Sequence, residues 1–305
     1  MINNNDKSAF IAIVGKPNVG KSSLLNKMLG QKIAIVSSKP QTTRTRIMGV
    51  LTEKETQLVF IDTPGLHKPH NSLDKFMLRS VNESVAGVDA CLLVVEGGTA
   101  ISDEEKELIK KFKALDLPAV LAINKMDTLS DKSVIAKQIS EISAMYDFTA
   151  VVPCSAQTGS GVDALKDELK ALALEGGHMF EEDTLTDQPE RVIASEIIRE
   201  KLLRLLDKEV PHGSAVFVER MKERSDSNII DIDATIYCER DSHKGIIIGK
   251  GGAMLKKIGT YARQDMEKFF DCKINLHIWV KVKEDWRNRE SILRSLGYDQ
   301  SSFDE

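Results

Sequence analysis

The residues with the most chemical content form a few short clusters. Gly15-Lys16-Pro17-Asn18-Val19-Gly20-Lys21-Ser22 matches GxxxxGK[ST], and Ser23 follows it. The setting suits the pattern. An apolar run, Phe10–Val14, precedes the loop, and Leu24, Leu25 and Met28 mark a helix opening at Ser22. The glycines let the main chain wrap so that its N–H groups point at phosphate oxygens, and the helix start adds partial positive charge there. Lys21 is placed to reach the β- and γ-phosphates, and the Ser22 hydroxyl to ligate Mg²⁺. The bland alternative is a glycine-rich turn.

Asp62-Thr63-Pro64-Gly65-Leu66 follows a second apolar run, Gln57–Ile61. A carboxylate at the end of a buried strand can hold Mg²⁺ through its water shell, and the Gly65 N–H can meet the γ-phosphate. Asn124-Lys125-Met126-Asp127 leaves a third run, Ala119–Ile123. Guanine presents N1–H and N2–H₂ donors side by side, and a carboxylate such as that of Asp127 can accept from both. Lys125 can lie along the base plane, and Asn124 can tie this loop to the phosphate loop. Beyond the next strand, Cys154-Ser155-Ala156 can offer a backbone N–H to the guanine O6. Adenine would set an acceptor against Asp127, so the pattern favours GTP over ATP.

The ordered set GKPNVGKS, QTTRTR, DTPG, NKMD and CSA, spanning residues 9 to about 173, resembles the translation-factor-related P-loop GTPases. Gln41-Thr42-Thr43-Arg44 resembles the first switch of a bacterial group with a TTR signature. That resemblance makes Thr43 the expected Mg²⁺ and γ-phosphate ligand, with Thr42 the alternative. It makes Asp62 to Leu66 the second switch. Ras carries a glutamine after DxxG to orient the attacking water, whereas Leu66 stands here and cannot. Asn18 aligns with an asparagine that in several relatives helps bind K⁺ at the phosphates. His67 and His70 lie close by and are read as exposed switch residues rather than bases.

A second set lies in the C-terminal third. Ile247-Ile248-Gly249-Lys250-Gly251-Gly252 contains IIGxxG, and Met254, Leu255, Ile258, Met266 and Phe269 mark a helix after it. This resembles a KH domain, in which a GxxG loop joins two helices and clamps single-stranded RNA backbone. The resemblance assigns RNA contact to Ile248, Gly249, Lys250, Gly251, Gly252, Lys256 and Lys257. The expected order of helix, strand, strand, helix, loop, helix, strand is that of the second KH topology. A helix-capping turn is the bland alternative.

The elements needed to position these residues follow the same division. Strand-like runs at Phe10–Val14, Arg46–Thr52, Gln57–Ile61, Ala90–Val95, Ala119–Ile123 and Ala150–Pro153 alternate with helical periodicity, the pattern of an α/β domain. It stops near Leu174. Glu175 to Glu190 holds Gly176-Gly177, Glu181-Glu182-Asp183 and Pro189 and reads as a linker, with an ordered surface loop as the alternative. The expected organisation is a GTPase domain over 1–174, a linker over 175–189 and a KH domain over 190–305. The fold class is α/β, a P-loop GTPase domain with a mixed, mostly parallel sheet, followed by a type II KH α+β domain.

The 305 residues carry 42 basic and 46 acidic side chains, a net charge of −4 that speaks against nucleic acid when taken whole. The average hides a division: residues 181–243 sum to −7 and residues 244–289 to +6. The positive block includes Lys244, Lys250, Lys256, Lys257, Arg263, Lys281, Lys283, Arg287 and Arg289, and begins where the GxxG motif begins. Trp279 and Trp286 bracket the last strand and are read as packing residues. No run approaches a membrane span, the polar start from Met1 to Ser8 lacks a signal core, and the four cysteines read as reduced, mostly buried thiols.

Both motif sets in this order resemble the bacterial Ras-like GTPases that carry a C-terminal KH domain. The resemblance implies a GTPase that binds GTP and GDP with Mg²⁺. It also implies binding of 16S ribosomal RNA near its 3′ end and a part in assembly of the 30S subunit. It further implies a cytoplasmic monomer with peripheral association at the inner membrane, although no residue here marks a membrane site. Nucleotide-ordered loops around Gln41–Arg46 and Gly65–Leu73 would then bias RNA binding. The alternative is a signalling GTPase whose KH-like domain binds a protein. An ATP-dependent RNA remodelling enzyme is opposed by Asn124-Lys125-Met126-Asp127.

Overall fold

The computed structural model describes residues 6–131 and 133–298. The first five residues and the end of the acidic tail, on which the signal-core reading and the outer domain limits partly rest, lie outside the described residues. The chain forms two compact units. One holds residues up to 68 together with 77–187, the other residues 69–76 and those from 188 on.

In the first unit, the apolar runs become β1 (Lys7–Val14), β2 (Ile47–Glu53), β3 (Thr56–Asp62), β4 (Ala90–Glu96), β5 (Ala119–Asn124) and β6 (Ala150–Pro153). They lie in the order β2-β3-β1-β4-β5-β6. β2 runs antiparallel to β3, and the pairs of β1 with β3, β1 with β4, β4 with β5 and β5 with β6 are parallel. β4 and β5 are buried along nearly their whole length, which is why they read as continuous apolar runs. Helices α1 (Lys21–Leu29), α2 (Ser72–Ala86), α3 (Asp103–Leu115), α4 (Ser133–Ser143) and α5 (Val162–Lys170) connect them. Val81 and Val85 of α2, Leu108 and Phe112 of α3, and Ile135 and Ile142 of α4 pack with Ala12, Leu93 and Leu121 in one core. α1 and α5 pack together. β1 is flanked by β3 and β4, so its carboxyl end is the point at which successive strands diverge. In open α/β sheets ligands bind at such a point, and the phosphate loop leaves β1 there.

The stretch expected as a linker is laid against this unit. Leu174–Glu175 forms β7, antiparallel to β1 at Lys7 and Ser8. The Gln57 side chain then accepts from the N–H groups of Met179 and Phe180 at 2.7 and 2.9 Å and donates to the Phe180 carbonyl at 3.0 Å. Farther on, the Val50 N–H donates to Leu185 O at 2.9 Å and the Thr186 hydroxyl to Met48 O at 2.6 Å. A polar, glycine-containing segment gives no periodic signal of this, because its hold comes from backbone edges and one amide far off in sequence.

In the second unit α6 (Glu190–Leu205) precedes β8 (Ser214–Glu223) and β9 (Ile229–Cys238). Then come α7 (Asp241–Ile248), α8 (Ala253–Phe270) and β10 (Lys273–Val282). The sheet order is β10-β9-β8, with β10 parallel and β8 antiparallel to β9. Ile197, Ile198 and Leu202 of α6 and Ile258, Ala262 and Met266 of α8 pack on Ile232, Ala234, Ile236 and Val280. Gly245–Ile248 complete α7, so the Gly249–Gly252 loop joins two helices. A short 3₁₀ turn, Trp286–Asn288, and α9 (Glu290–Ser295) follow.

Trp286 is wholly buried, donates to Gly213 O at 2.9 Å and stacks on Tyr298, as a packing residue does. Trp279 does not fit that expectation: it is 46% exposed, on the face of β10 opposite the helices. Odd-numbered residues of this strand point away from the core that Ile274 and Val280 enter.

Candidate nucleotide site and RNA groove

The phosphate loop is shaped by close backbone contacts. Gly15 (φ 147°) leaves no room for a Cβ, which would lie 2.2 Å from Val94 O. Gly20 (φ 99°) would place one 2.2 Å from Asn124 Nδ2. Both are glycine on grounds of sterics and dihedral angle. Lys21 is buried, and its ammonium donates to Gly15 O at 3.0 Å and Lys16 O at 2.9 Å. Burial pushes it down to about 8, opposed by the charges of Asp62 and Glu105.

Three predicted metal-site residues meet here. Ser22 Oγ donates to Asp62 Oδ2 at 2.6 Å and lies 2.9 Å from Thr43 Oγ1, and Thr43 Oγ1 donates to Asp62 Oδ2 at 3.4 Å. Asp62 is fully buried, and its other oxygen, Oδ1, has no hydrogen-bond partner. One orphaned carboxylate oxygen beside two hydroxyls is a donor set that suits a hard cation such as Mg²⁺. The two threonine hydroxyls point to different places. Thr43 turns into this cluster, while the Thr42 hydroxyl donates to Lys39 O at 2.6 Å.

Burial raises Asp62 to about 6, with Lys21 and the Ser22, Thr43 and Thr63 hydrogen bonds pulling the other way. A cation needs the carboxylate ionised. Mg²⁺ affinity should therefore fall by up to roughly tenfold per pH unit below about 6. The same group contributes the opposite trend to metal-free stability. Its raised folded value makes protonation stabilising, an effect present at low pH and lost as pH rises towards 6. Mg²⁺ titrations and thermal unfolding between pH 5 and 7.5, roughly one unit either side of the transition, read both slopes. A pH-independent Mg²⁺ affinity would contradict the role of Asp62.

The second switch lies against the loop. The Leu66 N–H donates to Gly15 O at 3.1 Å, and a Cβ on Gly65 would meet Pro17 N at 2.6 Å. Thr63 Oγ1 donates to Ile13 O at 2.8 Å. Pro64 is buried, and the Leu66 side chain enters the core. His67 Nδ1 lies 2.9 Å from Gly65 O, so His67 is half-buried, while His70 is exposed. The Asn18 amide donates to Ser38 O at 2.7 Å, joining the phosphate loop to the residues before the first switch. The Arg44 side chain is buried.

The Asn124–Asp127 segment is held by Asn124. It donates to Val19 O at 2.8 Å and accepts from the Ala156 N–H at 2.9 Å, so it ties three loops together, one more than expected. Asp127 accepts from the Ser155 hydroxyl at Oδ1, which fixes the carboxylate's direction. Lys125 (φ 66°) reaches Glu96 at 2.7 Å. The N–H groups of Ser155 and Ala156 are both engaged, by Ser160 O and Asn124 Oδ1, so a base oxygen would share or replace the second bond. The cleft, 350 Å³, is lined by Pro17, Asn18, Gly20 to Ser23, Ile35 to Ser38, Gln41 to Thr43, Gly65, Lys125 and Gln157. Ile35 to Ser38 and Gln157 carry no motif in the sequence. Only their adjacency to QTTR and CSA pointed at them.

In the second unit, Gly249 (φ 73°) packs so closely on Met254 that a Cβ would lie 2.7 Å from the Met254 Cβ, whereas Gly251 (φ 57°) and Gly252 (φ 80°) face open space. Ile248 is half-buried at the end of α7, and Lys250, Lys256 and Lys257 are exposed. Beside the loop runs a 410 Å³ groove with Leu255, Leu276 and Ile278 in its lining, along with Lys256 and with Arg263, whose guanidinium pairs with Glu267 at 3.2 Å. Gly252 and Gly259 keep it open. Not all of the positive block lies here. Arg287 pairs with Glu239 at 2.7 Å, Lys281 reaches Glu219 at 3.5 Å, and Lys283 lies over the Tyr237 ring at 4.3 Å.

A mixed, mostly parallel sheet with a phosphate loop at its divergence point, a hydroxyl–carboxylate cluster and a carboxylate at the Asn124–Asp127 turn define a P-loop GTPase, here followed by a KH domain. Residues 10–125 match the family described as 50S ribosome-binding GTPase, and residues 209–287 match the KH domain. The chain is 51% identical to GTPase Era of Ruminiclostridium cellulolyticum over 96% of this chain and 97% of that protein. It is 48% identical to GTPase Era of Clostridioides difficile over 96% and 99%. It belongs to the Era family of GTPases.

Two solved structures are similar throughout, each with a TM-score of 0.92 and 38% identity. One is Aquifex aeolicus Era bound to GDP and AlF₄⁻, covering 96% of this chain and 100% of that one. The other, covering 97% and 100%, is Era in complex with MgGDPNP and nucleotides 1506–1542 of 16S ribosomal RNA. Among the described residues no helix is long and apolar enough to cross a membrane.

Proposed function

We propose that this GTPase is an RNA-binding switch that engages 16S ribosomal RNA near its 3′ end and acts in assembly of the 30S subunit. The observation that carries the reading is the Gly249–Gly252 loop, exposed at Lys250 and Gly251, beside an apolar groove edged by Lys256 and Arg263. Its support from relatives is the Era structure that holds this RNA segment and MgGDPNP. The groove offers what single-stranded RNA needs: main chain open to phosphates, apolar surface for bases, and cations for the backbone.

In this reading Gly15 to Ser23 and Gly65 hold the phosphates, and Ser22, Thr43 and Asp62 surround Mg²⁺. Asn124, Lys125, Asp127, Ser155 and Ala156 hold guanine. Ile248 to Gly252, Lys256 and Lys257 hold RNA. The carbonyl oxygen of the Asn18 amide is the atom offered to K⁺. Mg²⁺ when bound supplies charge neutralisation at the phosphates. Leu66, turned into the core, leaves orientation of the attacking water to other groups. Domain limits at 1–174, 175–189 and 190–305 are kept for function, although 175–187 lies with the GTPase unit. In this reading the protein acts in the cytoplasm as a monomer. Peripheral contact with the inner membrane rests on family resemblance alone. Nucleotide and RNA binding must be reciprocally coupled.

Crosslinking to cellular RNA with and without a non-hydrolysable GTP analogue tests this. Reads should concentrate at the 3′ end of 16S RNA and rise with the analogue. Capture of protein with no ribosomal RNA would favour instead the signalling GTPase with a protein partner.

A further inference from the structure

Behind the phosphate loop sits a carboxylate that no motif accounts for. Glu105, in the first turn of α3, is 2% exposed. Its Oε2 accepts from the Ser102 N–H at 2.8 Å, lies 3.1 Å from Ser102 Oγ, and faces Lys16 Nζ at 3.2 Å. The Lys16 ammonium also donates to Ala100 O at 3.2 Å. Ser102 Oγ in turn accepts from the Glu105 N–H, completing a capping box.

A capping box needs an acceptor, not a charge, and glutamine serves it as well as glutamate. The start of α3 favours the charge of Glu105, and what faces that charge is the phosphate loop. Lys16 is directly bonded, and Lys21 donates to the Lys16 carbonyl and feels the Glu105 charge. From α3 to the phosphate-facing lysine the chain of contacts is Glu105, Lys16 side chain, Lys16 main chain, Lys21.

We infer that Glu105 is a positioning residue for nucleotide binding: its bond to Lys16 anchors the rim of the phosphate loop to α3 and holds the main chain ready for phosphate. The inference rests on reading Gly15–Ser22 as the nucleotide site. The Lys16 side chain is thus engaged away from the phosphates, and Lys16 serves them through its backbone. Because the anchor acts on main chain common to every phosphate, GDP and GTP should depend on it equally. The dependence should appear in affinity rather than turnover.

Titration of the full-length chain with fluorescent GDP and GTP analogues, together with steady-state hydrolysis, tests this. Glu105→Gln keeps the cap and removes the charge. It should weaken both nucleotides about five- to tenfold, the scale of one partly buried charged bond, with KM rising alike and kcat within about twofold. Lys16→Met should weaken binding equally, and adding Glu105→Gln to it should change nothing more. Unchanged or tighter binding by Glu105→Gln, or effects that add with those of Lys16→Met, would overturn the anchor. If Glu105→Gln fails to fold, Lys16→Met with unchanged affinity does so alone. Failure of the wild-type chain to bind guanine nucleotides is a separate result, against the site itself.

Discussion

Replacing Asp127 with asparagine should turn a guanine site into one that prefers xanthine. The Asp127 carboxylate stands on the turn after β5, its Oδ1 taken by the Ser155 hydroxyl and the loop locked by Asn124 to Val19 O and the Ala156 N–H. The scaffold is therefore rigid, and the substitution changes chemistry without freeing the loop. An amide can accept from N1–H, but its NH₂ faces the guanine N2–H₂ as donor against donor. Xanthine carries a carbonyl there and restores the pair. A site built to hydrogen-bond a particular group discriminates strongly, so GTP affinity should fall by about a thousandfold or more while XTP binds. Competition between GTP and XTP for Asp127→Asn reads this. Retained GTP preference would remove Asp127 from base recognition.

The second large effect belongs to the RNA groove. Lys250→Asp combined with Gly251→Asp places two carboxylates where phosphates are expected. Space is not the obstacle: a Cβ at Gly251 meets nothing within 4 Å, and aspartate tolerates the left-handed backbone better than most residues. The change therefore acts by charge. Affinity for a single-stranded 16S 3′-end oligonucleotide should drop by at least about a hundredfold, with a shallower salt dependence as a cationic contact is lost. Fluorescence anisotropy at two salt concentrations measures both, with circular dichroism reporting the fold. Unaltered RNA affinity would refute the clamp and move the argument to a protein partner.

Most of the nucleotide site could be read in the sequence because its parts are local. A loop that must wrap phosphate needs glycine at fixed offsets, and a buried strand must deliver Asp62 or Asp127 at its end. Each requirement leaves a contiguous trace, and the strands carrying them fall within three residues of their expected limits. What escaped is held by long-range contacts. Glu105 serves Lys16 from 89 positions away, and Gln57 grips Met179 and Phe180 from more than 120. Neither leaves a periodicity. The basic block was legible as a segment but not as a surface. Strand alternation sends Lys281 to the open face of the sheet, and Arg287 is taken by Glu239. Trp279 was misread for the same reason: on a strand, one residue of register decides between core and water.

The strap along β2 has a further consequence. β2 is the outermost strand of its sheet, and an unpaired outer strand is a template on which foreign chains can add. Its Val50 N–H and Met48 carbonyl are occupied by Leu185 and Thr186 of the same chain. The segment that leads out of the GTPase unit thus also protects that unit from aggregation. A protease cut or deletion within 179–186 would bare a β-edge, so the span between the two units is constrained by colloidal stability as well as by reach.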